Sequence, residues 1–250
     1  MKAWQVVSFG KRILGRGVVC MAGCIAMLNM GPIIMMALSM LISIAVYAAA
    51  FGLKFALGFV LLLFAHEYGH LVASRVVGLK VSSPIFIPFI GAVIRLKELP
   101  LNAKMEANVA IGGPAMGTLS ALFCLTLYFW TNSMLLLVLS YTACLLNLFN
   151  LIPCDPLDGG RIAAAISPRL WWLGSIVIGV LFVYTYNFVV FIILLFSLFR
   201  LWESYGADDN LPYYQLTIGQ RLAVGWWYFG LVIVLGGTTL YIVGILKFGL

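Results

Sequence analysis

The sequence predicts an all-α polytopic membrane protein, with about six transmembrane helices and a short membrane-associated β-hairpin between the second and the third. Of its 250 residues, 64% are hydrophobic and 9% are charged, whereas soluble domains carry about 25% charged residues. The apolar residues fall into runs of about 20 or more, which is the length of a membrane-crossing helix. The excess positive charge lies scattered between these runs. We therefore expect a lipid bilayer as partner and no nucleic acid.

The N-terminal stretch differs from the rest of the chain. It is basic, with Lys2, Lys11, Arg12 and Arg16, and continues into a short apolar run that ends at Pro32. We predict an N-terminal cytoplasmic or interfacial segment over 1–32 and a single transmembrane domain over 33–250. Hydrophobic sequence continues without a small-residue cleavage site, so we expect this segment to be retained.

Six apolar runs are long enough to span the bilayer. The predicted spans are 33–51, 55–77, 105–130, 133–152, 171–200 and 221–246. The fifth run either tilts as one helix or splits near Asn187. Loop charges favour one helix, since the 202–220 loop has acidic residues and no Lys or Arg, whereas the other long loops are basic. The positive-inside rule then predicts a multi-pass protein of the cell membrane with both termini in the cytoplasm.

Residues 81–96 are not typical of a helix. Pro84, Pro88 and Gly91 interrupt them, and β-branched or aromatic residues fill the gaps. This pattern favours a short β-hairpin or a re-entrant loop. Such backbone is tolerated at membrane depth only where protein or a hydrated cavity satisfies its hydrogen bonds, so we expect it to lean against the helices.

The second span carries polar residues in the stretch LLLFAHEYGH. Ionisable residues inside an apolar span indicate function, because an unpaired charge there is costly. His66 and His70 are four residues apart, so they share one helix face and can bind one metal ion. Glu67 lies beside them, where it can handle a proton. This is the HExxH pattern of zinc peptidases.

A catalytic zinc site usually has a third protein ligand. The stretch NLFNLIPCDPLDGGRI offers Asp155 and Asp158 for this role. Asp158 is favoured because flexible glycines follow it, and these let the backbone approach a metal closely. Asp155 remains an alternative ligand, and Asp158 could instead be the N-cap of a helix over 159–167.

The HExxH motif together with Asn150-x-x-Pro153-x-x-x-Leu157-Asp158-Gly159-Gly160 resembles the site-2 protease family of intramembrane zinc metalloproteases. The similarity covers roughly residues 33–168. It implies that His66, His70 and Asp158 bind Zn²⁺, and that Glu67 is the catalytic residue. It also implies that Asn150 contacts the substrate or the oxyanion. This would be a compact member, because no polar stretch is long enough for an inserted PDZ-like or CBS-like domain.

The resemblance predicts a metalloendopeptidase that uses a zinc-activated water to cut peptide bonds within or near transmembrane segments of membrane-anchored proteins. The predicted topology places its site toward the cytoplasmic side, because His66 and His70 lie in the later part of a span that enters from outside. A transmembrane substrate must unwind locally, and an extended segment can recover hydrogen bonds on a strand edge. We therefore predict that the hairpin binds the substrate. The candidate residues are Ile85, Phe86, Ile87 and Phe89.

Two other functions compete with the protease. A transporter or ion-binding membrane protein would also place His and Asp in the membrane, but it predicts further polar residues along a path through other spans, which the sequence scarcely has. A catalytically inactive scaffold of the same fold is the second alternative. The intact set of His66, Glu67, His70 and Asp158 argues against it.

Overall fold

The computed structural model describes residues 31–88, 91–93, 98–205 and 212–248. Within these ranges the chain is almost entirely helical. The helices are α1 (Pro32–Phe51), α2 (Leu53–Val76), α3 (Ala103–Thr131), α4 (Met134–Asn150), α5 (Asp158–Ile166), α6 (Leu170–Thr185), α7 (Phe188–Tyr205) and α8 (Ile218–Phe248), with a 3₁₀ turn at Pro212–Tyr214. Almost all of the predicted N-terminal segment, 1–32, lies outside the described residues.

The all-α membrane class agrees with this architecture. Four helices, α1, α2, α3 and α8, are long and apolar enough to cross a membrane, while α4 and α6 are apolar but shorter. The total of six crossings, and the division into two parts at residue 32, stay predictions.

Short turns connect α1 to α2 and α3 to α4, whereas the longer 77–102 segment connects α2 to α3. Gly52, with φ of 84°, connects α1 to α2. The Asn102 side chain begins α3 by accepting a hydrogen bond from the Met105 N–H at 2.9 Å. Asn132, in the left-handed region at φ 51°, ends α3. These turns make neighbouring helices antiparallel, so every second connection lies on the same face of the bundle.

Helix α3 is central to the bundle, packing against α2, α4, α5 and α8. Its contact with α2 is a backbone-to-backbone approach: a Cβ added to Gly112 would lie only 2.5 Å from the carbonyl oxygen of Gly69. Lipid tails are as apolar as the side chains themselves, so helices in a membrane associate through close packing, which small residues permit. This proximity brings the polar residues of α2 against α3.

The region after residue 80 contains two short paired strands. Strand β1 (Ile85–Ile87) pairs with β2 (Gly91–Val93) in antiparallel register, with Phe86 opposite Ala92. The Phe86 N–H donates to Ser39 Oγ of α1 at 3.1 Å, and its ring packs near Phe64 of α2. The strands thus lean against α1 and α2. Their association with a membrane stays a prediction.

The fifth apolar run is split, so the prediction of a single helix over 171–200 is wrong. Helix α6 ends at Thr185, and its C-cap Tyr186 adopts left-handed φ of 48°. Asn187 begins α7, since its Oδ1 accepts the Val189 N–H at 2.8 Å. The two helices fold back on each other, and the hydroxyls of Ser175 and Ser197 are 2.5 Å apart. The run is uniformly apolar, but the left-handed Tyr186 ends one helix and the Asn187 cap begins the next.

The split changes the side on which later segments lie. We define the loop face as the end of the bundle that contains the α4–α5 connection. Arg221, near the start of α8, reaches it by donating to the Ile166 carbonyl. The far end of α8 packs instead through Ile242 with Leu125 and Leu137, at the opposite ends of α3 and α4. The start of α8 therefore lies on the loop face and its end on the other. The N-terminal segment lies outside the described residues, so whether both termini share a side stays untested.

We expect cysteine labelling to report this arrangement. Gly219→Cys should react with a membrane-impermeant maleimide from one side, and both Thr131→Cys and Lys247→Cys from the other. All three positions are solvent-exposed or lipid-exposed, and the unmodified chain gives the background from native thiols. Labelling of Gly219→Cys and Thr131→Cys from the same side would contradict the split.

Candidate metal centre

Three side-chain atoms meet between α2 and the start of α5. His66 Nε2 is 3.1 Å from His70 Nε2, and each of these nitrogens is 3.2 Å from Asp158 Oδ2. The two imidazoles converge because they are one helical turn apart on α2. The carboxylate comes from Asp158, which is 92 residues after His66 in the sequence. The structure therefore brings together the three predicted ligands.

The other nitrogen of each imidazole fixes its tautomer. His70 Nδ1 is 2.8 Å from the carbonyl oxygen of Val109, which can only accept. His66 Nδ1 is 2.8 Å from Asn147 Oδ1. The Asn147 amide is itself oriented, since its Nδ2 donates to Ala143 O at 2.7 Å. Both Nδ1 atoms must then carry hydrogen, which leaves both neutral Nε2 atoms with lone pairs.

These lone pairs make the cluster suitable for a metal ion. Two Nε2 lone pairs and a carboxylate oxygen point at the same small volume, where they repel one another unless a cation lies between them. Ligands of tetrahedral zinc, bound at about 2.0–2.1 Å, are roughly 3.3 Å apart, close to the separations observed. The donor set of two His and one Asp, with a fourth position open, also suits catalytic zinc. The residues present therefore fit the ion.

Helix α3 leaves room for the ion by presenting glycine. A Cβ on Gly113 would overlap Nε2 of His70 and lie 2.7 Å from Nε2 of His66. One turn later, a Cβ on Gly117 would overlap the Asn147 amide. The Gly113–Pro114–Gly117 segment therefore does more than permit helix packing, because it keeps open the space around the imidazoles and their hydrogen-bond partner.

The two aspartates of the α4–α5 connection have different surroundings. Asp158 is the first residue of α5 and faces the histidines. The N-cap is Leu157, and no side chain caps the helix. Asp155 instead forms an ion pair with Arg200 at 3.2 Å. The alternatives of Asp155 as ligand and of Asp158 as N-cap are not supported by these contacts.

Glu67 follows His66 on α2 and is buried, with 8% of its surface exposed. It is not part of the three-ligand cluster. Within the described residues, its carboxylate makes no hydrogen bond or ion pair. A buried carboxylate beside the cluster can accept a proton from a water molecule there.

The predicted substrate-binding residues have mixed surroundings. Ile85 and Ile87 are exposed, whereas Phe86 is buried at 3% and its N–H already donates to Ser39 Oγ. Asn150 is half-buried at the end of α4 and makes no side-chain hydrogen bond in the part of the chain that the structure describes. Phe89 lies outside the described residues.

Asn147 is the site residue that sequence reasoning missed. It lies three residues before Asn150 in the same stretch, and its buried amide orients His66. The available signal was a polar amide within the apolar run of α4, three residues before Asn150 and therefore on the same helix face. Only the packing of α4 against α2 shows which of the two asparagines reaches the imidazole.

We expect Gly113→Ala to reduce bound zinc by about tenfold or more, because the added methyl group would occupy the space beside both Nε2 atoms. Metal analysis of the purified protein measures this. Gly236→Ala is the matched control, since a Cβ there meets nothing within 4 Å. Full zinc content in Gly113→Ala would refute the role assigned to this glycine.

We expect Asn147→Ala to lower zinc affinity by roughly 10–100-fold, the usual effect of losing a hydrogen bond that orients a metal-binding histidine. Competition with a chelator measures the affinity. Asn150→Ala, at the end of the same helix, should retain zinc. Equal losses in the two variants would indicate a general packing defect instead.

Comparisons with known proteins agree with the predicted family. The family model of Peptidase family M50 matches residues 54–133, which include both histidines and Glu67. The chain is also similar to "Zinc metalloprotease MJ0392" from Methanocaldococcus jannaschii, with 35% identity over 106 residues, or 40% of this chain and 30% of that protein. The chain thus spans less than a third of that relative's length. These matches agree with the family resemblance that the sequence predicts: residues 54–133 are similar to peptidase family M50, and both matches cover less than half of the chain.

Proposed function

We propose that this protein is an intramembrane zinc metalloendopeptidase, which hydrolyses peptide bonds within or near the transmembrane segments of membrane-anchored proteins. The observation that carries the proposal is the convergence of His66 Nε2, His70 Nε2 and Asp158 Oδ2, with Glu67 next in sequence to one of them. Both the family and the zinc metalloprotease to which the chain is similar support it.

The proposed chemistry divides between the metal and the chain. Zinc held by the two histidines and Asp158 would supply a Lewis acid and lower the pKa of a bound water toward about 7. Glu67 takes a proton from the attacking water and gives it to the leaving amine nitrogen. The Asn150 amide, which lacks a partner among the described residues, donates a hydrogen bond to the substrate carbonyl as it gains negative charge.

Substrate binding relies on the short strands. A membrane-spanning helix hides its peptide bonds in its own hydrogen bonds, so the segment to be cut must become extended. Its freed backbone groups then need partners. Strands β1 and β2 offer such groups beside α1 and α2, and the exposed side chains of Ile85 and Ile87 would contact the substrate.

The orientation follows from charge. The basic residues at or near the loop face include Lys80, Lys104, Arg161, Arg169 and Arg221, whereas Lys54 and Lys247 lie toward the opposite end of the described bundle. The positive-inside rule places such a face in the cytoplasm. We therefore propose that the active site opens toward the cytoplasmic side of the cell membrane.

The ion-transport alternative has less support in the structure. The charged residues of α3, α7 and α8 lie near the helix ends, and α1 and α6 contain none. A path for an ion across the membrane would need polar groups at several depths. The buried ionisable groups of the described residues instead gather at one cluster, which is the arrangement that a hydrolytic site needs.

We expect Glu67→Gln to bind zinc normally but to cleave at least about 100-fold more slowly, because the general base is lost while the three ligands remain. The assay reconstitutes the protein in liposomes with single-span membrane polypeptides and identifies products by mass spectrometry. Glu98→Gln, at an exposed position, is the control and should cleave normally.

Two results would contradict the proposal. Cleavage that survives in Glu67→Gln would exclude the assigned mechanism. Stoichiometric zinc in the wild type without cleavage of any substrate in the panel would favour the ion-binding or scaffold alternative.

A further inference from the structure

The position of Asp158 depends on the irregular segment before it. We call residues 151–157 the ligand loop. This loop contains Pro153 and Pro156, so regular helix hydrogen bonds cannot hold it, and its position depends on what packs against it. From one side, Tyr228 of α8 donates a hydrogen bond to the Leu151 carbonyl at 2.7 Å. From the other side it meets α6 and α7.

Helix α6 touches the ligand loop with its backbone. A Cβ on Gly174 would overlap the Pro153 carbonyl group and lie 2.7 Å from the Cys154 nitrogen. No side chain fits between the helix and the loop. Any displacement of α6 toward the bundle therefore pushes directly on the loop.

A second contact of α6 lies just after Asp158. The indole Nε1 of Trp171 donates to the Gly160 carbonyl at 2.8 Å, and Trp171 is buried at 6% exposure. Helix α6 thus holds the chain on both sides of the ligand, at Pro153–Cys154 before it and at Gly160 after it.

Helix α7 adds a charged contact. Arg200 Nε pairs with Asp155 Oδ2 at 3.2 Å, and its guanidinium lies over the Trp171 ring, 5.6 Å from the centroid. Arg200 also pairs with Glu203 of its own helix at 3.0 Å. One side chain therefore links α7 to both the ligand loop and the tryptophan of α6.

The rest of the hairpin faces outward. Trp172, Leu173, Ile176 and Val180 are exposed, as expected of a lipid-facing surface. Among the described helices, α7 packs closely against α6 alone. The hairpin thus joins the protein around the ligand loop and α5, where Trp171 and Leu201 pack with Ala163 and Ala164.

We propose that the α6–α7 hairpin is a clamp that sets the position of Asp158 against the two histidines, with Trp171 and Arg200 as positioning residues. The inference rests on the proposed function, in which His66, His70 and Asp158 hold zinc. It concerns a part of the chain beyond the 54–133 family match, and it gives the fold-back of the fifth apolar run a role in the chemistry.

The test compares matched pairs of variants in the full-length protein. Trp171→Phe loses the indole N–H that holds Gly160, whereas Trp172→Phe changes the exposed neighbour. Asp155→Asn loses the charge that pairs Arg200 with the loop, whereas Glu203→Gln loses its other carboxylate partner. The readouts are the rate of zinc loss to a chelator and the visible spectrum of the Co²⁺-substituted protein, which reports coordination geometry.

We expect Trp171→Phe and Asp155→Asn to release zinc about tenfold faster with an altered Co²⁺ spectrum, while Trp172→Phe and Glu203→Gln stay within about twofold of wild type. Reduced thermal stability with unchanged zinc release and an unchanged spectrum would overturn the clamp, as would equal effects in both members of a pair. A wild-type protein that takes up neither metal would contradict the proposed function itself.

Discussion

The structure depends on one electrostatic constraint: three lone pairs from distant parts of the chain meet in an apolar surrounding. His66, His70 and Asp158 face each other within 3.2 Å. Burying such groups without a partner is costly in a protein interior and more so within a membrane. A shared cation removes the repulsion and uses all three at once. The surrounding hydrogen bonds, from Asn147 and Val109, act by holding the lone pairs in this direction.

The packing of α3 beside the cluster leaves space for a cation and for the side chains that orient its ligands. Helix α3 presents glycine where a larger residue would fill the space, at Gly112 against α2, at Gly113 against the imidazoles and at Gly117 against the Asn147 amide. Glycine in a helix is unfavourable by its own propensity. Its use at three points indicates that close approach to α2 and α4 outweighs that cost. The central helix is thus shaped by the site as well as by the core.

The second half of the chain supports the site from outside. Asp158 belongs to a loop with two prolines, whose geometry needs external contacts. Helix α8 supplies one through Tyr228, and the α6–α7 hairpin supplies others through Trp171 and Gly174. Because α6 and α7 fold back on each other, the start of α8 returns to the loop face, where Tyr213 donates to Glu106 of α3. The C-terminal helices are therefore connected to the chemistry without contributing a ligand.

The sequence by itself determined the class, the helix that carries His66, Glu67 and His70, and the pairing of that helix with the Asp158 stretch. The first two features follow from hydrophobic run length and from four-residue spacing, which are local properties. The third follows from the need of a zinc site for a further ligand and from the resemblance to the site-2 proteases. The sequence could not decide whether residues 171–200 form one helix, because hydropathy does not register a single left-handed residue at Tyr186. Nor could it identify Asn147 as the partner of His66, or do more than favour Asp158 over Asp155. Those choices depend on which side chain faces α2 or α7 after packing, and contacts between segments distant in sequence exist only in the folded molecule.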